Sequence, residues 1–211
     1  MMTKLAPNET ANQVLGPAGK LEVAVGTPIG LDRNALGIIC HPHPLHGGTM
    51  YNKVVTTLAR TLQGVGLTTV RFNFRGVGQS QGEFDHGRGE VDDLLAVAKW
   101  LQNEMGHQEI WLAGFSFGAF IAASGAVQLP VRKLITIAPP VMHFPMRELP
   151  PILCDWIVVQ GDKDDVVPPE EVIIFAESRQ PKPVIIRLPE ADHFFHGQLG
   201  ELRTKLEEQL K

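Results

Sequence analysis

The chain of 211 residues is 44% apolar and 20% charged, which suits one globular α/β domain with a large buried core. Its formal net charge is −4 and its 19 Lys and Arg are scattered, so the sequence carries no basic footprint for nucleic acid. No uninterrupted apolar stretch reaches the length of a membrane span, and the opening MMTKLAPNETANQV lacks the apolar run of a signal peptide.

Residues 11–15 and 20–27 form two extended candidates joined by Gly16-Pro17-Ala18-Gly19, which predicts an antiparallel start. A strand over 36–40 follows, then a helix over 53–66 with Val54, Leu58 and Leu62 on one face. A strand over 67–74 leads to a long helix near 88–105, opened by Glu90, Asp92 and Asp93, whose charges suit the helix dipole. Next come a strand over 110–114, an Ala-rich helix over 117–128, and strands over 133–137 and 156–160. Pro168-Pro169-Glu170-Glu171 opens another helix. The chain closes with a strand over 184–188 and a charged amphipathic helix over 200–210. The alternation predicts an α/β fold: a mostly parallel sheet of about eight strands with helices on both faces. No repeat or linker divides residues 1–211, so one domain is expected. The segment between 137 and 156 is short and rich in proline (Pro139, Pro140, Pro145, through to Pro151), which argues against a cap domain.

Cys40 and Cys154 are too few for a disulfide framework or a zinc site, and a reducing, cytoplasmic setting is expected. Cys40 ends an apolar run and is expected to be a buried packing residue.

Gly114-Phe115-Ser116-Phe117-Gly118 lies between a strand and a helix. A nucleophile on such a turn needs glycines at both flanks, because side chains there would strike neighbouring backbone. With four serines and 21 glycines, chance predicts only about 0.04 such motifs, so the pattern is informative. A serine hydroxyl needs a base to take its proton, and the base needs an acid to orient it. After strand 156–160 come Asp162, Asp164 and Asp165; after strand 184–188 come His193 and His196. His193 is the better base, being closer to the strand end and flanked by Phe194 and Phe195. Spacing alone does not choose among the three aspartates.

Two motifs are set aside. His41, His43 and His46 have no carboxylate or thiolate nearby to complete a metal site, and Pro42 and Pro44 stiffen their loop. No metal and no cofactor are expected. Gly76-x-Gly78 lacks a correctly placed third glycine and an immediate helix, so it is not a dinucleotide fingerprint. Arg75 is expected to hold the site's rim by bonding carbonyls or a carboxylate. Residues 85–90, polar and Gly-rich, are expected to form a surface loop. Phe72 and Phe74 alternate like core residues of a strand.

Three stretches resemble small, lidless bacterial α/β-hydrolases related to dienelactone-hydrolase-like esterases. They are His41-Pro42-His43-Pro44-Leu45-His46-Gly47-Gly48-Thr49-Met50 with Asn52-Lys53, then Arg71-Phe72-Asn73-Phe74-Arg75-Gly76-Val77-Gly78, and the Ser116 turn. The similarity extends over nearly the whole chain. It implies Asp164 as the triad acid, third after Gly161 in the G-x-x-D-x-x-V-P pattern. Dienelactone hydrolases proper use a cysteine where this chain has Ser116, so their substrate does not carry over. Acyl transfer also needs N–H donors for its oxyanion. Phe117 supplies one. The loop after strand 36–40 supplies the other, and since prolines have no N–H, His43 and Leu45 are the nearest candidates, with His43 preferred. The expected activity is hydrolysis of small or accessible carboxylic esters. A thioesterase or amidase would use the same residues, and a non-catalytic scaffold that binds a ligand or partner is the alternative from another class.

Overall fold

A computed structural model describes residues 5–106 and 109–210. Its strands are β1 (Glu9–Gly16), β2 (Gly19–Gly26), β3 (Ala35–Cys40), β4 (Thr68–Phe72), β5 (Glu109–Phe115), β6 (Val131–Ile137), β7 (Asp155–Gly161) and β8 (Val184–Leu188). They form one sheet in the order β1-β2-β4-β3-β5-β6-β7-β8. β1 and β2 form the expected hairpin, and β2 pairs antiparallel with β4. Every later pairing is parallel.

The helices are α1 (Lys53–Gly64), α2 (Arg88–Met105), α3 (Phe117–Ala126), α4 (Pro169–Ser178) and α5 (Leu199–Leu210). The strand period of two sorts them into two layers. Leu36, Ile38 and Cys40 of β3 enter one core with Leu94 of α2, Ile121 of α3 and Phe175 of α4. Ala35 and Ile39 enter the other with Leu58 of α1 and Leu206 of α5. Helices therefore cover both faces, and β3 and β5 are apolar almost throughout because neither face meets water. Gly37 breaks this pattern for a packing reason: a Cβ there would lie 2.9 Å from Leu62 of α1. Cys40 is fully buried, and burial pushes its thiol far up, so it stays a neutral packing group.

Residues 88–90 are not surface loop but the first turn of α2. The Glu90 carboxylate turns back to accept the N–H groups of Asp85 at 2.8 Å and Gly87 at 2.7 Å. Between β6 and β7 the chain forms only one 3₁₀ turn, Met146–Glu148, and no helical cap rises over the sheet among the described residues. No helix among them is long and apolar enough to cross a membrane.

Candidate active site

Because β3 to β8 run parallel, the loops that follow them gather at one edge of the sheet, where open α/β sheets hold their sites. Ser116 follows β5, Asp164 follows β7 and His193 follows β8.

Ser116 sits at φ 53°, a left-handed backbone that non-glycine residues rarely adopt. Its N–H donates to the Ile137 carbonyl at 2.9 Å, which anchors the turn to β6. The flanking glycines are required by contact. A Cβ on Gly114 would lie 2.0 Å from the Gly118 carbonyl oxygen, and one on Gly118 would lie 2.2 Å from that of Cys40. This close approach brings the start of α3, with the Phe117 N–H that is unpaired among the described residues, against the end of β3.

His193 bridges the other two groups. Its Nε2 lies 3.2 Å from Ser116 Oγ, and its Nδ1 lies 2.8 Å from Asp164 Oδ2. The ring is buried between Phe115 at 5.2 Å and Phe194 at 5.1 Å. Asp164 is distinguished from its neighbours by its partners. Its Oδ1 accepts the N–H groups of Val166 and Val167 at 2.9 and 2.7 Å. Its Oδ2 also accepts Gln160 Nε2–H at 3.0 Å. Burial pushes the Asp164 carboxyl up, but the hydrogen bonds from His193 and the two amides outweigh it, and the net position is below the ordinary value. Asp162 instead pairs with Arg187 at 2.7 Å, and Asp165 is exposed. His196, the alternative base, is solvent-facing and pairs with Asp192 at 2.7 Å.

The loop after β3 carries the remaining polar machinery. His41 is fully buried: its Nε2 accepts the Phe74 N–H at 3.1 Å, and its Nδ1–H donates to the Pro42 carbonyl at 2.6 Å. These partners fix one neutral tautomer. Burial, only partly offset by the Pro42 bond, holds its pKa down at about 3. The Leu45 N–H is already used, donating to His43 Nδ1 at 3.2 Å. Neither the His43 N–H nor the Phe117 N–H meets a protein acceptor among the described residues. Farther along, the Met50 N–H donates to Asn73 Oδ1 at 2.8 Å and its carbonyl accepts from Arg71, so β4 holds the loop from behind. Arg75 bonds Asp93 of α2 through Nε at 3.1 Å and Nη2 at 2.8 Å, a carboxylate as expected, but one buried inside the fold. Phe72 and Phe74 are buried core residues.

Sequence reasoning missed Gln160 and the His41 bonds. It also missed the half-buried rings of Phe84 and Phe144, which flank His43 at 5.0 and 6.1 Å. Gln160 carried a usable signal: a polar residue inside a strand otherwise apolar from Trp156 to Val159. No sequence signal linked the two phenylalanines.

Residues 39–155 match the family described as alpha/beta hydrolase fold. A serine hydrolase homologue of that fold from Coxiella burnetii is 50% identical, covers 99% of this chain and all of its own, and superposes with a TM-score of 0.93. A Xanthomonas campestris protein, described as an α/β serine hydrolase without a lid, is 43% identical. It covers 97% of this chain and 94% of its own, with a TM-score of 0.92. An uncharacterized protein of Rickettsia prowazekii is 36% identical over 206 residues, 92% of this chain and 86% of that protein. The fold, the Ser116 turn and these relatives agree: the chain belongs to the α/β-hydrolase fold family.

Proposed function

We propose that this protein is a serine hydrolase that cleaves carboxylic esters of small or accessible acyl groups. The observation that carries the reading is the unbroken line Ser116 Oγ, His193 Nε2, His193 Nδ1, Asp164 Oδ2, with steps of 3.2 and 2.8 Å. Its members come from three separate loops, in the chain order expected of this fold. Ser116 Oγ attacks the ester carbonyl carbon and its proton passes to His193 Nε2. Asp164 accepts the Nδ1–H and stabilises the imidazolium. The oxyanion is held by the N–H groups of Phe117 and His43, which have no acceptor of their own among the described residues. His193 then protonates the departing alcohol oxygen. A water attacks the acyl-enzyme with His193 as base, and the acid is released. The same residues serve thioesters and amides, and esters are favoured over amides because an alcohol leaves with far less demand on the general acid than an amine.

Hydrolysis of p-nitrophenyl acetate by the wild type and by Ser116→Ala tests this. Turnover lost by a factor on the order of 10⁴–10⁶ in Ser116→Ala supports the assignment. Equal turnover by both proteins would refute it.

A further inference from the structure

The two cores divide the site. Phe115, which lies against His193 with ring planes tilted 39°, belongs to the layer of α1 and α5, whereas Phe117 and Phe120 belong to the layer of α2, α3 and α4. On the second side, aromatic rings converge above Phe117, the residue that follows Ser116. Phe84, from the loop between β4 and α2, lies 5.8 Å from Phe117. Phe144, from the loop between β6 and β7, lies 5.1 Å from Phe117 and stacks on Phe120 at 5.1 Å with planes 26° apart. The His43 ring closes the group, 5.1 Å from Phe117. Phe117 and Phe120 are buried, while Phe84, Phe144 and His43 are only half-buried and present their surface outward.

We propose that this aromatic wall is the acyl subsite, and that it takes an uncharged acyl group bearing an aromatic ring. The inference rests on the ester-hydrolase reading above. A tetrahedral carbon bonded to Ser116 Oγ carries three other substituents. The leaving oxygen must face His193, which protonates it, and the oxyanion faces the Phe117 and His43 N–H groups. The acyl substituent is left to the side away from His193, where the wall stands. The wall is neutral near pH 7, since burial and the neighbouring His46 and His86 hold the His43 ring below its ordinary pKa. Tilted and edge-to-face rings leave aromatic faces for a further ring, and such contacts add roughly threefold to tenfold in affinity beyond area burial. On the opposite side, Phe194 lies against His193 at 5.1 Å and remains substantially exposed, in position to meet the leaving group.

The test keeps the leaving group constant and varies the acyl group. The kcat/KM values of p-nitrophenyl acetate, hexanoate and phenylacetate are compared for the wild type, Phe84→Leu, Phe144→Leu and Phe194→Leu. Leucine keeps apolar bulk and removes the ring, so the fold is preserved. The wild type is expected to favour phenylacetate over hexanoate. Phe84→Leu and Phe144→Leu should each lower the phenylacetate-to-acetate ratio about threefold to tenfold. Phe194→Leu should change all three esters alike. Acetate turnover with ratios untouched by Phe84→Leu and Phe144→Leu would overturn the subsite and leave the hydrolase reading standing. Hexanoate cleaved as well as phenylacetate would overturn the aromatic specificity. Absence of acetate turnover in the wild type would overturn both.

Discussion

Replacing His41 with leucine should weaken the protein at pH 8 and weaken it much less at pH 5. In the wild type the ring is fully buried and must stay neutral, because Nε2 accepts the Phe74 N–H and a proton there would set donor against donor. Its pKa is about 3 in the fold, against an ordinary 6.5. A histidine whose pKa is depressed by folding contributes stability above the unfolded pKa. That contribution is lost as pH falls from there towards the folded pKa, since only the unfolded chain takes up the proton. Between pH 8 and pH 5 the loss is about 2 kcal/mol. His41→Leu removes this dependence. At pH 8 it also strands the Phe74 N–H and the Pro42 carbonyl, at about 1–3 kcal/mol each. Urea unfolding of both proteins at the two pH values measures the gap, and other groups, Asp164 included, cancel in the difference. The gap should narrow by about 2 kcal/mol at pH 5. A gap that is constant, or that widens in acid, would refute the neutral, doubly bonded histidine. The same bond fixes the plane of the Pro42–His43 peptide, so the variant should also lose up to about 10²–10³-fold in kcat if the His43 N–H binds the oxyanion.

Asp164→Asn should cut kcat by about 10⁴-fold, whereas Asp162→Asn and Asp165→Asn should change it little; equal losses in ester turnover at all three positions would overturn the assignment of the acid. Asp93→Ala should destabilise the fold by about 3–5 kcal/mol, because it strands the buried Arg75 guanidinium, and the denaturation midpoint reports it. A second change, Arg75→Met, should recover much of that loss. Gly118→Ala should abolish ester turnover or folding, since its Cβ would lie 2.2 Å from the Cys40 carbonyl oxygen, a backbone atom with nowhere to move.

The parts of the site that rest on local rules were legible in the sequence. The turn around Ser116 is dictated by close backbone contacts that only glycines permit, so its pattern is visible in five residues. The mostly parallel sheet with its antiparallel start follows from the alternating periods and the Gly/Pro connection at 16–19, and strand 184–188 coincides with β8. Loop chemistry was less legible. Nothing in the spacing of Asp162, Asp164 and Asp165 reveals which carboxylate receives two amides and Gln160, because that depends on how the loop curls after β7. The Glu90 cap on α2 was hidden for a related reason: Gly87 and Gly89 look like loop residues, yet Gly89 lies in the first helical turn, where a Cβ would strike Arg75. Arg75 and Asp93 lie 18 residues apart and meet only because the loop that follows β4 runs against α2. Phe84 and Phe144 belong to irregular loops 60 positions apart, and no periodicity joins them.

The central claim is that Ser116 is an activated nucleophile, and a fluorophosphonate probe tests it most directly, since the probe reacts with the hydroxyl and is indifferent to the natural acyl group. Wild type, Ser116→Ala and His193→Ala are incubated with the probe and the labelled site is mapped by mass spectrometry. The account predicts stoichiometric labelling at Ser116 in the wild type, none in Ser116→Ala, and labelling slowed by orders of magnitude in His193→Ala. A wild type that does not label, or one that labels as fast without His193, would contradict it.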